Sequence, residues 1–190
     1  MPIQIEPLNS ENMPLWLDFF DNRALKDVPD WDGCYCQAYL NTKEVEEEIS
    51  ASGIPYQKEF RRLACERLET KVMQGYVAIE DGKVIGWMAC GPGANYPGYE
   101  EWQKSEPTTA RIPCFTIDID RRGQGIARSL LQYGLNDLAT RGFKRVEAKG
   151  IHQGENNARN YPGPIKLYES FGFKALTKID ERSSLMVKEL

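Results

Sequence analysis

The stretch CFTIDIDRRGQGIARSLLQYGLNDLATRG, Cys114 to Gly142, restricts the fold more than any other part of the chain. Residues 112–119 alternate apolar and polar side chains, the period of a strand. Ile126, Leu130, Leu131, Leu135 and Leu138 then line one side of a helix over 127–140, and Gly142 ends it. KRVEAKG returns at once to strand spacing. A strand, a helix and a strand in succession are the pieces of a parallel crossover. Just upstream, GYVAIEDGKVIGWMACGP holds two alternating runs joined by Asp81-Gly82. That pair suits a type I′ turn, whose central residues both need positive φ, and a hairpin is antiparallel. A chain with both pieces forms a mixed α/β sheet.

The remaining segments fill in around this centre. IQIEPL is a short strand, and Ser10 caps a helix whose Met13, Trp16, Leu17 and Phe20 share a face. Asn41 and Glu44 form a capping pair for an acidic helix, TKEVEEEIS, which SGIP breaks. Phe60, Leu63, Ala64, Leu68 and Val72 predict a longer helix over 57–74. GPGANYPGYEEWQKSEPTTA and ENNARNYPGP read as loops. Pro164 opens a short helix, PIKLYES, and FGFKALTKI and SSLMVKEL close the chain as strands. There is no internal repeat or linker, and 190 residues fit one domain.

Charge and cysteine content narrow the partners. A formal net charge of −4 argues against nucleic acid and anionic membranes. No apolar run approaches the roughly 20 residues of a bilayer span. MPIQIEPLNSENM lacks the basic region and apolar core of a signal peptide. The five cysteines therefore read as reduced thiols, and the expected location is cytoplasmic. Cys65, Cys90 and Cys114 look like small core residues. Cys34 and Cys36, in WDGCYCQAY, are too close for an unstrained disulfide. With scattered cysteines and one histidine, no metal is expected.

The turn itself, RRGQGIA, carries the chemistry. Gly123 and Gly125 let the backbone bend sharply and approach a ligand. The first amides of the following helix have no helical partners and point outward at the positive end of the dipole. A phosphate there satisfies several donors, and Arg121, Arg122 and Arg128 supply charge. On the glycines alone, a plain tight turn with solvated arginines competes evenly with this reading. The turn is not a P-loop, because no Lys-Ser/Thr pair follows, and it lacks the third glycine of a dinucleotide fingerprint.

Arg-x-x-Gly-x-Ala at 122–127, placed after a strand and opening a helix, resembles the acyl-CoA-binding motif of the GNAT superfamily of N-acetyltransferases. IKLYESFGFKAL resembles that family's second signature, a Leu-Tyr followed by Gly-Phe, and the hairpin sits where its second and third strands sit. The resemblance covers about residues 75–190. It implies a mainly antiparallel central sheet with one splayed strand pair, in one domain. Residues 1–74 would form the acceptor-side half and 75–190 the acetyl-CoA half. One departure stands out. Where the family often has Asn-x-x-Ala before the tyrosine, this chain has Tyr161 and Pro164, leaving Asn156, Asn157 or Asn160 to substitute.

The resemblance also implies roles. The co-substrate would be acetyl-CoA, with a primary amine as acceptor. Its diphosphate would lie on the amides of Arg122, Gly123, Gln124, Gly125, Ile126 and Ala127, assisted by Arg121, Arg122 and Arg128. Its pantetheine arm would pair with Phe115 and Ile117, and an amide near Phe115 would polarise the thioester carbonyl. Tyr168 matches the family tyrosine that protonates the leaving thiolate, though it also reads as a core aromatic. The attacking amine must lose a proton, since a lysine-like amine has a pKa near 10.4. Glu100, Glu101, Glu106, Asp118 and His152 are the candidate bases, with Glu101 and His152 chosen as the catalytic pair to test. Trp31, Tyr35 and Tyr39 would wall the acceptor pocket or pack the helix junction, and Asp32 and the EVEEE glutamates would draw in a cation. A homodimer is a further assembly the family offers.

Overall fold

The computed structural model describes residues 2–98, 105–152 and 158–190, apart from the side chain of residue 158. Seven strands form one sheet in the order β1-β2-β3-β4-β5-β7-β6. They are β1 (Gln4–Pro7), β2 (Gly75–Glu80), β3 (Lys83–Pro92), β4 (Thr109–Ile117), β5 (Arg145–Ile151), β6 (Lys174–Lys178) and β7 (Ser183–Glu189). Only β4 and β5 pair in parallel, and α4 (Ile126–Thr140) is the crossover between them. The other helices are α1 (Met13–Asn22), α2 (Lys43–Ala51), α3 (Tyr56–Glu69) and α5 (Ile165–Glu169). The mixed, mainly antiparallel sheet flanked by helices is therefore the one the sequence implies. Asp81 and Gly82 have φ of 49° and 71°, as the hairpin turn requires.

Strand alternation sends side chains into two cores. Val77, Trp87 and Cys114 face a cluster with Trp16, Phe19, Phe20 and Phe60 of α1 and α3. Their neighbours Tyr76, Met88 and Phe115 face Leu130, Leu131 and Leu138 of α4 and Tyr168 of α5. Each fully buried leucine of α4 contributes roughly 1.5–3 kcal/mol of transfer free energy. This burial fixes α4 on the sheet, and so fixes the turn that precedes it.

Several local expectations shift. The cap of α1 is not Ser10. The Asn9 side chain accepts from the amides of Glu11 and Asn12, at 2.8 and 3.2 Å, and Asn12 is the residue before the helix. The cap of α2 is Thr42, accepting from the Val45 amide, rather than the Asn41–Glu44 pair. Asn41 is buried and accepts from Arg67 at 2.6 Å. The third helix stops at Glu69, short of 74, because Lys71 takes a left-handed φ of 58°. Cys90 and Cys114 are core residues, whereas Cys65 is half-exposed. All five cysteines are free thiols.

Candidate active site

The turn between β4 and α4 is built by two left-handed glycines. Gly123 and Gly125 have φ of 76° and 83°, and nothing lies within 4 Å of where a Cβ would stand on either. The first helical bond runs from the Ser129 amide to the Gly125 carbonyl at 3.0 Å, so the preceding amides have no helical acceptor. They border a cavity of about 330 Å³ that also touches Phe115, Ile117, Asn160, Tyr161 and Leu167. Open space, free amides and a dipole end together fit a diphosphate.

The arginines do something other than wait for an anion. Arg122 holds Asp27 with both guanidinium nitrogens, at 2.5 and 2.9 Å, and its Nε donates to the Ile117 carbonyl at 3.3 Å. Both partners of this pair are largely shielded, with side chains 12% and 16% exposed. Arg121 pairs with Glu80. Both side chains clamp the turn to the rest of the protein. Arg128 differs: it donates to the Ser170 hydroxyl at 3.0 Å and lies 5.2 Å over the Phe171 ring, at the rim of the cavity. Gln124 folds back onto the Asp120 carbonyl at 3.0 Å. Nothing local in the sequence marks Asp27 and Glu80 as partners of these arginines.

Behind the turn, β4 and β5 part company. They pair from Thr109–Arg145 to Ile112–Ala148, and no further. The reason lies in Pro113. The register of β4 against β3 slips between Ala89 and Gly91, opposite Cys114 and Arg111, so β4 carries an extra residue there. Proline offers no amide to a neighbouring strand, and a bulge bends the strand that carries it. The family resemblance implies such a split, and a proline inside a strand-like run is the local feature that marks where it begins.

Residues 160–164 lie in that split. The Phe115 amide donates to the Tyr161 carbonyl at 2.6 Å, and the Ile151 amide to the Gly163 carbonyl at 2.9 Å. The Tyr168 hydroxyl donates to the Pro162 carbonyl at 2.5 Å. Tyr168 is fully buried, packed on Phe173 with ring centroids 5.2 Å apart. Burial, followed by the neighbouring Cys90 and Cys114 thiols, pushes its phenol well above the ordinary value near 10. The phenol therefore stays protonated at any working pH. The ring of Tyr161 points the other way, 5.4 Å edge-on from Trp31 and hydrogen-bonded to the Tyr39 hydroxyl.

The structure thus brings Phe115, Ile117, Arg121, Arg122, Gly123, Gly125, Ile126, Ala127 and Arg128 to one cavity, joined by Asn160. Tyr168 stands directly behind it, 6.4 Å from Phe115 between ring centroids. His152 lies elsewhere: it bonds the Ser184 hydroxyl at 2.9 Å and lines a separate depression with Lys178 and Glu181. Asp118 caps the turn by accepting from Asp120 and pairs with Arg23 at 3.1 Å. Glu106 is exposed. Glu100, Glu101, Asn156 and Asn157 fall outside the described residues. Tyr35 is buried against Phe20 and donates to Asp21, so it packs the helix junction. Asp32 pairs with Lys26 at 2.9 Å. Among the described residues no cluster of histidine, cysteine or carboxylate ligands has metal-binding form, and no helix is long and apolar enough to cross a membrane.

Comparison with known proteins bears on this geometry. The model of the acetyltransferase (GNAT) family matches residues 17–173. The chain belongs to the GNAT family of acetyltransferases. GNAT proteins use acetyl-CoA, and a fold of this kind is shared by many solved structures. An N-acetyltransferase from Staphylococcus aureus Mu50 superposes with a TM-score of 0.55 at 21% identity, covering 100% of this chain and 98% of that one. The PaiA N-acetyltransferase of Thermoplasma acidophilum, solved with coenzyme A, gives 0.57 at 16% identity over 100% of both chains. The ribosomal-protein-S18-alanine N-acetyltransferase of Escherichia coli gives 0.53 at 17%, over 99% and 94%. At these identities the likeness establishes the GNAT fold. A sequence search of curated proteins returned no match.

Proposed function

We propose that this GNAT protein transfers an acetyl group from acetyl-CoA to a primary amine, by direct attack within a ternary complex. The observation that carries the proposal is the turn at Gly123–Gly125, whose amides have no helical acceptor and whose glycines border a cavity beside α4. Acetyl-CoA supplies an acyl group activated as a thioester. In this reading the amides from Gly123 to Ala127 hold its diphosphate and Arg128 adds charge at the rim. Arg121 and Arg122 set the shape of the turn through Glu80 and Asp27. Phe115 and Ile117 offer main-chain groups to the arm, and the Phe115 amide orients and polarises the acyl carbonyl. Tyr168, held protonated by its burial, gives its proton to the departing sulfur. The amine's proton goes to a base, for which Glu101 is the candidate to test by substitution, His152 lining a separate depression beside Ser184.

A second reading is an acyl-CoA sensor without turnover. It is favoured by one observation: the Phe115 amide and the Tyr168 hydroxyl both already have partners inside the chain. One assay separates the two. Protein is mixed with acetyl-CoA and a panel of small amines, peptides with free N-termini and lysine peptides, and free thiol is followed. Amine-dependent thiol release is expected. Tight coenzyme A binding with no release across the whole panel would replace the enzyme with the sensor.

A further inference from the structure

The segment Tyr161-Pro162-Gly163-Pro164 has an unusual chemical character. Three consecutive carbonyls, from Tyr161, Pro162 and Gly163, accept from Phe115, Tyr168 and Ile151. Two of its four residues are prolines and have no amide to donate. Gly163 takes a φ of 93°, and a Cβ there would stand 3.1 Å from the Tyr168 ring. The Gly163 amide turns back onto the Asn160 carbonyl at 2.8 Å, so what the segment presents to the split between β4 and β5 is carbonyl acceptors. Acceptors are also what the thioester end of an acyl-CoA arm presents to the Phe115 amide.

We infer that Asn160–Pro164 is a built-in stand-in for the acyl end of the co-substrate, which holds the split shut in the free protein, with Tyr161 as a positioning residue. This rests on the proposed acetyl-CoA site. A single amide cannot serve the Tyr161 carbonyl and a thioester carbonyl in the same place, so the strap leaves as the arm enters. The strap keeps the Phe115 and Ile151 amides and the Tyr168 hydroxyl paired, sparing the free protein unsatisfied buried donors. Its latch is on the outer side. The Tyr161 ring sits against Trp31 and bonds Tyr39, and the Arg159 guanidinium lies 5.1 Å over Trp31. Trp31 and Tyr39 belong to the segment between α1 and α2, so strap opening also reshapes an aromatic wall next to the cavity.

The experiment compares two ligands on two proteins. Adenosine 3′,5′-diphosphate carries phosphates but no pantetheine, and acetyl-CoA carries both. In Tyr39→Phe the latch loses one hydroxyl partner while the strap backbone is untouched. Calorimetry should show acetyl-CoA binding about two- to tenfold tighter to Tyr39→Phe than to the wild type, the worth of one hydrogen bond. Adenosine 3′,5′-diphosphate should bind both equally. In the wild type, acetyl-CoA should raise deuterium uptake in residues 158–164, and the nucleotide should not. Equal acetyl-CoA affinities with unchanged or lower uptake would overturn the strap while leaving the phosphate site in place. Failure of the nucleotide to bind either protein would overturn the phosphate site itself, and the strap with it.

Discussion

At the turn before α4, Gly123, Gly125, Ile126 and Ala127 border a cavity and their amides have no helical acceptor. In the split just behind it, the amides of Phe115 and Ile151 are bonded to the chain's own carbonyls. The two ends of one groove are thus in different states of readiness. The phosphate end is preorganised: its donors cost nothing to uncover, and its shape is set by glycine geometry and by two internal ion pairs. The acyl end is conditional, because every donor there must change partner before it can act. Binding energy gathered at the first end is what would fund the exchange at the second. On the proposed reading, a protein arranged in this way would recognise the nucleotide portion first and commit to chemistry only when the acyl arm displaces the strap.

The largest effect is expected at the conditional end. Tyr168→Phe should slow turnover by about a hundredfold, the scale of one general acid, with coenzyme A affinity unweakened. The same change leaves the Pro162 carbonyl without its buried donor, costing about 1–2 kcal/mol and roughly 2–8 °C in melting temperature. Kinetics and calorimetry read the two separately. A lowered melting temperature with unaltered turnover would make Tyr168 a strap anchor only. Burial raises its pKa in the closed form, so an absorbance titration of the free protein should show no Tyr168 ionisation below about pH 10.

Next in size is the preorganised end. Gly125→Val puts a β-branched residue at a φ of 83°, which such residues avoid at a cost of about 1–3 kcal/mol. Coenzyme A and adenosine 3′,5′-diphosphate should both bind roughly tenfold or more weakly, by equal factors. The helical circular dichroism should persist, because α4 is held by Leu130, Leu131 and Leu138 rather than by the turn. Loss confined to coenzyme A would mean that the two ends are not independent.

Much of the preorganised end was legible in the sequence, because it is local. The Gly-x-Gly turn, the apolar stripe of α4 and the Asp81-Gly82 hairpin each fit within a few residues, and backbone sterics dictate them. Capping was half legible. Ser10 is the expected cap, and Asn9, one residue earlier and of equal capping chemistry, takes the amides instead. Asn41 was drawn away from its helix by Arg67, a tertiary contact no window around residue 41 contains. At the conditional end the family resemblance implies the splayed pair, Phe115 and Tyr168, but not the pairing of Arg122 or the strap that fills the split. Arg122 and Asp27 are 95 positions apart, and their pairing turned an expected phosphate ligand into a clamp. The strap acts through main-chain carbonyls, which every residue has, so no side-chain pattern announces it. Only its prolines, and Pro113 inside β4, were visible hints.

The smallest effect concerns salt, and it follows from that clamp. Three arginines at a phosphate site would ordinarily make affinity steeply dependent on ionic strength, since exposed charges beyond about 10 Å are screened at 0.1 M. Here Arg121 and Arg122 are already neutralised by Glu80 and Asp27, and Arg128 is the one held by a neutral hydroxyl and a ring. The turn would then grip phosphate mainly through oriented amides, whose short-range hydrogen bonds are screened far less than bare charge. Raising sodium chloride from about 50 to about 500 mM should weaken adenosine 3′,5′-diphosphate binding only about two- to threefold. Asp27→Asn should steepen that dependence, because it releases the Arg122 guanidinium toward the cavity. A steep slope in the wild type would mean that the arginines leave their carboxylates for the ligand, and the contrast between a ready end and a conditional end would then lie in side chains as well as in the main chain.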